Sequence, residues 1–63
     1  MELITTEELA RLIRRDPSTL RRWRTARPMV GPPFLRLSDG VTMYDMDDVR
    51  LWLKRNRVDP EAA

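Results

Sequence analysis

The chain of 63 residues has neither cysteine nor histidine. That excludes a disulfide framework, a thiol nucleophile and the usual zinc sites. Only two glycines are present, so there is no glycine-rich phosphate loop. No nucleophile–base pair or acid–base constellation stands out either, and the expectation is a protein without enzymatic activity or cofactor. No run approaches the roughly 18 apolar residues of a membrane helix. The opening Met1-Glu2-Leu3-Ile4 lacks the basic and apolar regions of a signal peptide, so the expected location is the cytoplasm. A chain this short buries only about 60% of its extended surface, which implies one domain of modest stability.

What is present is arginine. Lys54 is the only lysine, and seven arginines (11, 14, 15, 21, 22, 24 and 27) fall between Arg11 and Arg27 against one acid, Asp16. From Asp39 to Asp48 there are four acids and no base. Net charge is only +2, but a basic first half beside an acidic later segment is the asymmetry of a nucleic-acid face. The plain alternative is a solvated charged surface. Arginine suits bidentate contacts to phosphate and guanine, although its abundance also follows genome base composition.

Along the chain, Thr5 and Glu8 have capping-box spacing, with Ile4 and Leu9 placed as a hydrophobic staple. A first helix is predicted over about 6–14, with Leu9, Ala10, Leu12 and Ile13 on its apolar face and Arg11, Arg14 and Arg15 opposite. Asp16-Pro17 opens a second helix, to about residue 26, with aspartate as N-cap and proline in the first turn. One or two residues between helices is a helix-turn-helix signal, although the glycine usual in such a turn is absent. At 100° per residue Leu20 and Trp23 share a face that Arg27 joins. Ser18, Arg22 and Thr25 lie opposite, flanked by Thr19 and Arg21. Arg24 falls near the core side, where it would extend over Trp23.

Pro28 ends that helix, and Gly31-Pro32-Pro33 is a rigid loop. Phe34–Leu37 and Val41–Tyr44, joined by Ser38-Asp39-Gly40, predict a β-hairpin. Apolar residues occur on both faces of each strand, so alternation assigns no inward side. Asp45 caps a last helix whose buried face is Val49, Trp52 and Leu53, with Met46 at its edge and Leu51 opposite. Asp47 and Asp48 at its start and Lys54, Arg55 and Arg57 near its end complement the helix dipole. Capping explains Asp45, Asp47 and Asp48 without a metal, and helical spacing explains Trp23 and Trp52 as core rather than base-stacking residues.

Three segments in this order carry a resemblance. Thr5-Thr6-Glu7-Glu8-Leu9-Ala10 is followed by Asp16-Pro17-Ser18-Thr19-Leu20-Arg21-Arg22-Trp23 and then by Gly31-Pro32-Pro33-Phe34-Leu35-Arg36-Leu37. With Tyr44, Asp48-Val49 and Trp52-Leu53 behind them, they resemble the MerR-like excisionase and AlpA-type winged-helix family over about residues 3–54. The resemblance implies a mainly α fold with a small β-hairpin: a winged helix-turn-helix DNA-binding domain over 1–56 and a short polar tail over 57–63.

In that family the second helix enters the major groove and the wing lies along the backbone or in the minor groove. Carried over by position, Ser18, Thr19 and Arg22 face the groove with Arg21 beside them, and Arg36 and Thr42 map to the wing. Thr25 joins the DNA-facing set from the helical wheel, and Arg11, Arg14, Arg15 and Arg27 are expected to meet phosphates. The wing tip departs from the pattern. Relatives often carry glycine and arginines there, whereas this chain has Ser38-Asp39-Gly40-Val41, and an aspartate beside a phosphate is unfavourable.

The function implied is that of an excisionase, a recombination directionality factor. It would bind and bend duplex DNA at an attachment site, alongside other copies of itself and a site-specific integrase, with no small-molecule effector and no membrane. An AlpA-type or MerR-like transcriptional regulator is the alternative. A phage assembly or DNA-packaging interaction module is a third reading, ranked lower because no oligomerisation segment follows the fold.

Overall fold

Side chains decide where the three helices begin. Thr5 Oγ1 accepts a hydrogen bond from the Glu8 amide at 3.0 Å, and Glu8 Oε1 accepts one from the Thr5 amide at 3.0 Å, closing a capping box. Asp16 Oδ1 accepts from the Ser18 amide at 2.9 Å, and Asp45 Oδ1 accepts from the Asp47 amide at 3.0 Å. Each satisfies an amide that the first helical turn leaves without a backbone partner.

The structure, a computed structural model, describes residues 1–61. Its elements are β1 (Leu3–Thr5), α1 (Thr6–Ile13), α2 (Pro17–Thr25), β2 (Leu35–Arg36), β3 (Thr42–Asp45) and α3 (Met46–Arg55). The protein is therefore mixed α/β, with three helices and a three-stranded antiparallel sheet in the order β1-β3-β2 among the described residues. The hairpin expected from the sequence is present as β2 and β3, and β1 is an addition to it. Ile4 is a strand residue directly opposite Tyr44, and it shares the buried core with Leu9, its expected staple partner on α1. A further bond from the Met46 amide to the Glu2 carbonyl, 2.9 Å, ties the start of α3 to the strand's entry.

The turn between α1 and α2 spans three residues, one or two more than expected. Arg14 adopts the left-handed conformation (φ 57°, ψ 49°), and the Arg15 amide donates back to the Ala10 carbonyl at 2.8 Å. That is a Schellman-type closure, so Arg14 supplies the geometry for which glycine is usually chosen.

Ile4, Leu9, Ala10, Leu20, Tyr44 and Val49 form the buried core, and Ile13, Trp23, Phe34 and Met46 pack around it. Each of the three aliphatic side chains with no exposed surface, Leu9, Leu20 and Val49, contributes about 1.5–3 kcal/mol of burial free energy. Ile4 and Tyr44 settle which strand face points inward. Two residues expected in the core lie outside it: Leu12 is 52% exposed and Leu53 is 42% exposed. Among the described residues no helix is long and apolar enough to cross a membrane. Arg57 to Glu61 continue beyond α3 without a helix or strand, and the last two positions of the tail expected over 57–63 lie outside the described residues.

Helix α2 stops at Thr25, so Arg27 lies beyond it and the helical projection that places Arg27 with Trp23 does not apply. The loop that follows turns back on α2: the Val30 amide donates to the Trp23 carbonyl at 3.2 Å, and Gly31 takes a φ of +93° against the indole. A Cβ at Gly31 would lie 2.9 Å from Trp23 Cε3, whereas one at Gly40, φ +86°, would meet nothing within 4 Å. Both substitutions to alanine carry the backbone penalty of about 1–2 kcal/mol for a left-handed residue. Gly31→Ala adds the collision. Urea unfolding is therefore expected to show a larger loss of stability for Gly31→Ala than for Gly40→Ala. Equal losses would mean that the loop yields freely around Trp23.

Candidate nucleic-acid interface

The arginines of residues 11–27 divide by what their side chains touch. Arg24 belongs to the fold. Its guanidinium donates to Tyr44 Oη at 2.8 Å and to Thr6 Oγ1 at 3.2 Å, and it lies over the rings of Phe34 and Tyr44 at 5.7 and 6.0 Å from their centroids. It extends over these two rings and not over Trp23, the neighbour that helical projection assigns to it. Trp23 instead packs on Trp52, ring centroids 5.9 Å apart.

Arg21 is exposed but paired with Glu7 of α1 at 2.9 Å. An exposed pair of this kind is worth about 0.2–1 kcal/mol, little enough that a phosphate could displace the carboxylate. Ser18 is exposed, and its hydroxyl donates to the capping Asp16 carboxylate at 2.7 Å. Its oxygen lone pairs stay available to accept. Thr25 is likewise exposed, and its hydroxyl donates to the Arg22 carbonyl at 3.1 Å. Thr19 is half-buried one position on from Ser18.

Arg22 differs from all of these. It is exposed on the outer side of α2, and among the described residues its guanidinium has no hydrogen-bond or ion-pair partner. All five of its donors are open to a ligand. Arg11, Arg14, Arg15 and Arg27 are also exposed, Arg14 and Arg15 in the α1–α2 turn and Arg27 past the end of α2.

In the hairpin, Arg36 and Thr42 are brought together as directly opposed residues of the β2–β3 ladder. Arg36 leans on Phe34, 5.8 Å from its ring centroid. The aspartate at the hairpin tip is structural. Asp39 Oδ1 accepts from the Val41 amide at 3.1 Å, while the Gly40 amide donates to the Leu37 carbonyl at 2.9 Å. These bonds hold the turn and account for an acid where a basic residue would suit a phosphate. Two of the acids at the start of α3 are similarly engaged. Asp45 caps the helix and Asp47 accepts from Arg50 at 3.1 Å.

Sequence reasoning missed the roles of Thr6 and Tyr44 in holding Arg24. A threonine at the first position of a helix reads as a capping accessory, and only the packing of α1 on α2 brings it within reach of Arg24.

Comparison with known proteins found no matching family model, no matching curated protein and no matching solved structure.

The division of roles among the arginines is open to measurement. Arg24→Ala removes a donor shared by two hydroxyls and two ring faces and should cost about 1–3 kcal/mol in urea unfolding. Arg22→Ala should stay within about 0.5 kcal/mol of the parent chain. The reverse order would show that Arg22, not Arg24, holds the fold.

The caps make a second expectation, for acid. Hydrogen bonds from the Thr5 amide and hydroxyl hold the Glu8 carboxyl below its usual range. For Asp16 the hydroxyl and then the amide of Ser18 do the same. A carboxylate whose folded pKa is depressed contributes stability that is complete above its unfolded pKa and lost as pH falls through the folded one. Stability should therefore be flat down to about pH 5 and fall below about pH 4. Asp16→Asn keeps a capping side chain without a titrating group, so it should reduce that fall. An unchanged profile would mean that the Asp16 cap has no part in it.

Proposed function

We propose that this chain is a winged helix-turn-helix protein that binds duplex DNA, with α2 as the recognition helix and the β2–β3 hairpin as the wing, and that it acts as an excisionase. The observation that carries this reading is the outer side of α2. An exposed arginine with every donor open stands between two exposed hydroxyl residues, on the second of two helices joined by a three-residue turn.

An α-helix fits the major groove, and an arginine that reaches a guanine there donates to O6 and N7 together. Arg22 has the freedom to do so. Ser18, Thr19 and Thr25 would accept from or donate to base edges and phosphates nearby, and Arg21 would exchange Glu7 for a phosphate. Arg11, Arg14, Arg15 and Arg27 would add sequence-independent affinity along the backbone. Arg36 and Thr42 would carry the wing's contact from its ladder rather than its acidic tip.

One domain of this size makes few base contacts, so a single copy binds weakly and selects its site poorly. Several copies on adjacent sites, or a copy beside an integrase, raise the effective concentration and supply the missing selectivity. In this reading the protein is a non-catalytic partner of recombination that bends attachment-site DNA inside the cell.

A gel-shift titration on duplex DNA from around the gene and any adjacent attachment site, at two salt concentrations, tests it. Ladder-like shifts that weaken as salt rises are expected, and Arg22→Ala should bind about tenfold to a hundredfold more weakly. Shifts confined to a promoter fragment would turn the assignment to a transcriptional regulator. No specific shift at any concentration would defeat the DNA reading, and an Arg22→Ala variant that binds like the parent would remove α2 as the recognition helix.

A further inference from the structure

Beside α3, the described surface carries a pair of open grooves that meet at Trp52. One, of about 530 Å³, lies between α3 and the loop after α2 and is bordered by Met29, Phe34, Asp48, Leu51, Trp52 and Arg55. The other, of about 430 Å³, includes Ile13, Trp23, Val30 and Leu53. Leu51, which the sequence pattern sets opposite Trp52, in fact shares the first groove with it. Met29, Val30, Leu51 and Leu53 are each 42–56% exposed, which is a large amount of apolar surface for so small a protein.

The groove's α3 wall has a definite order. Asp48, Leu51, Trp52 and Arg55 stand at positions i, i+3, i+4 and i+7, a single stripe along the helix. It runs acid, apolar, apolar, base, with its charged ends about 10.5 Å apart at 1.5 Å per residue. The surrounding charges follow the same gradient: Asp45 and Asp47 lie at the acidic end, Lys54 at the basic end and Arg57 beyond it. Arg50 pairs with Asp47 at 3.1 Å and with Glu2 at 3.8 Å, whereas among the described residues Asp48 and Arg55 form no ion pair.

We propose that this stripe is a self-association surface, on which α3 packs antiparallel against α3 of a second copy across a two-fold axis. A stripe that is acidic at one end and basic at the other complements itself when reversed. Asp48 then faces Arg55 of the partner subunit, Arg55 faces Asp48 of the partner subunit, and Leu51 and Trp52 are covered at the axis. An isologous contact of this kind makes each pairing twice, and the opposed helix dipoles favour it further. A purely acidic or purely basic partner would satisfy one end of the stripe and oppose the other. Two turns of helix and a short loop offer less than the about 800 Å² per partner of a stable complex, so the pair is weak, with a dissociation constant on the order of 10–100 µM.

The proposal does not depend on DNA binding, and its test contains no DNA, so either reading can fail alone. The whole chain is followed by sedimentation equilibrium over a range of concentrations that spans the expected constant. A monomer–dimer equilibrium is expected, and a monomer throughout overturns the proposal. Two-dimensional NMR spectra of the wild-type chain recorded on dilution locate the contact. The Leu51 and Trp52 signals should move with concentration, and movement confined to α2 or the hairpin overturns the assignment. Asp48→Arg and Arg55→Asp should each weaken association about tenfold or more. Mixed in equal amounts, the two restore it as a heterodimer, because each then offers the charge that the other has reversed. Folded single variants, judged by circular dichroism, whose mixture stays monomeric would overturn the charge pairing.

Discussion

The guanidinium of Arg24 and the hydroxyl of Tyr44 meet at the point where four segments of the molecule are joined. Tyr44 comes from the central strand, Thr6 from the first turn of α1, Arg24 from the second helix and Phe34 from the loop before the hairpin. A core of six buried residues cannot hold four such segments by area alone. A fixed cation that donates to two hydroxyls and lies against two rings adds direction to a small apolar cluster. It also explains how a phenol can sit 1% exposed without an unmet hydrogen bond, and among the described residues no buried side-chain polar atom lacks a partner.

The division of arginines follows from that junction. One is drawn into the fold and one is balanced by Glu7, while Arg22, next in sequence to the latter, extends outward from a helix whose position is set by its neighbours. A side chain that is to find a ligand gains from a rigid base, because the ordering cost is then confined to its own rotamers. Helix α2 has such a base on three sides: the Asp16 cap at its start, Leu20 in the core, and Gly31 against Trp23 near its end.

Much of this is legible in the residues. Thr5, Asp16 and Asp45 announce three helix starts because capping is local chemistry, settled within three residues, and Ser38-Asp39-Gly40 announces the hairpin for the same reason. The parts that stay hidden depend on distant partners. Three residues before α1 show no alternation by which to name a strand, and β1 exists because β3 offers it an edge. Arg14 gives no sign of a left-handed turn, since nothing in an arginine favours one and the closing bond to Ala10 enforces it. The helical wheel puts Arg24 near the core side of α2 but cannot name what lies across from it. Likewise Leu12 and Leu53 have helical spacing suited to a core that is too narrow to reach them. Ser18, Thr19, Arg22 and Thr25 are legible as an outer face, but that Thr25 and Ser18 spend their hydroxyl protons within α2 and its cap is not.

The contact of Trp23 with Trp52 has an optical consequence. The chain's two indoles lie 5.9 Å apart with their planes inclined at 52°, half-buried between α2 and α3. At that spacing their electronic transitions couple, so the chain's tryptophan emission arises from a single locus instead of averaging over separate environments. Light absorbed by either ring reports on the seam where the two helices meet and on whatever covers it. The same coupling adds an aromatic component to the far-ultraviolet dichroism, and helix content read from ellipticity alone would depart from the true content of this protein.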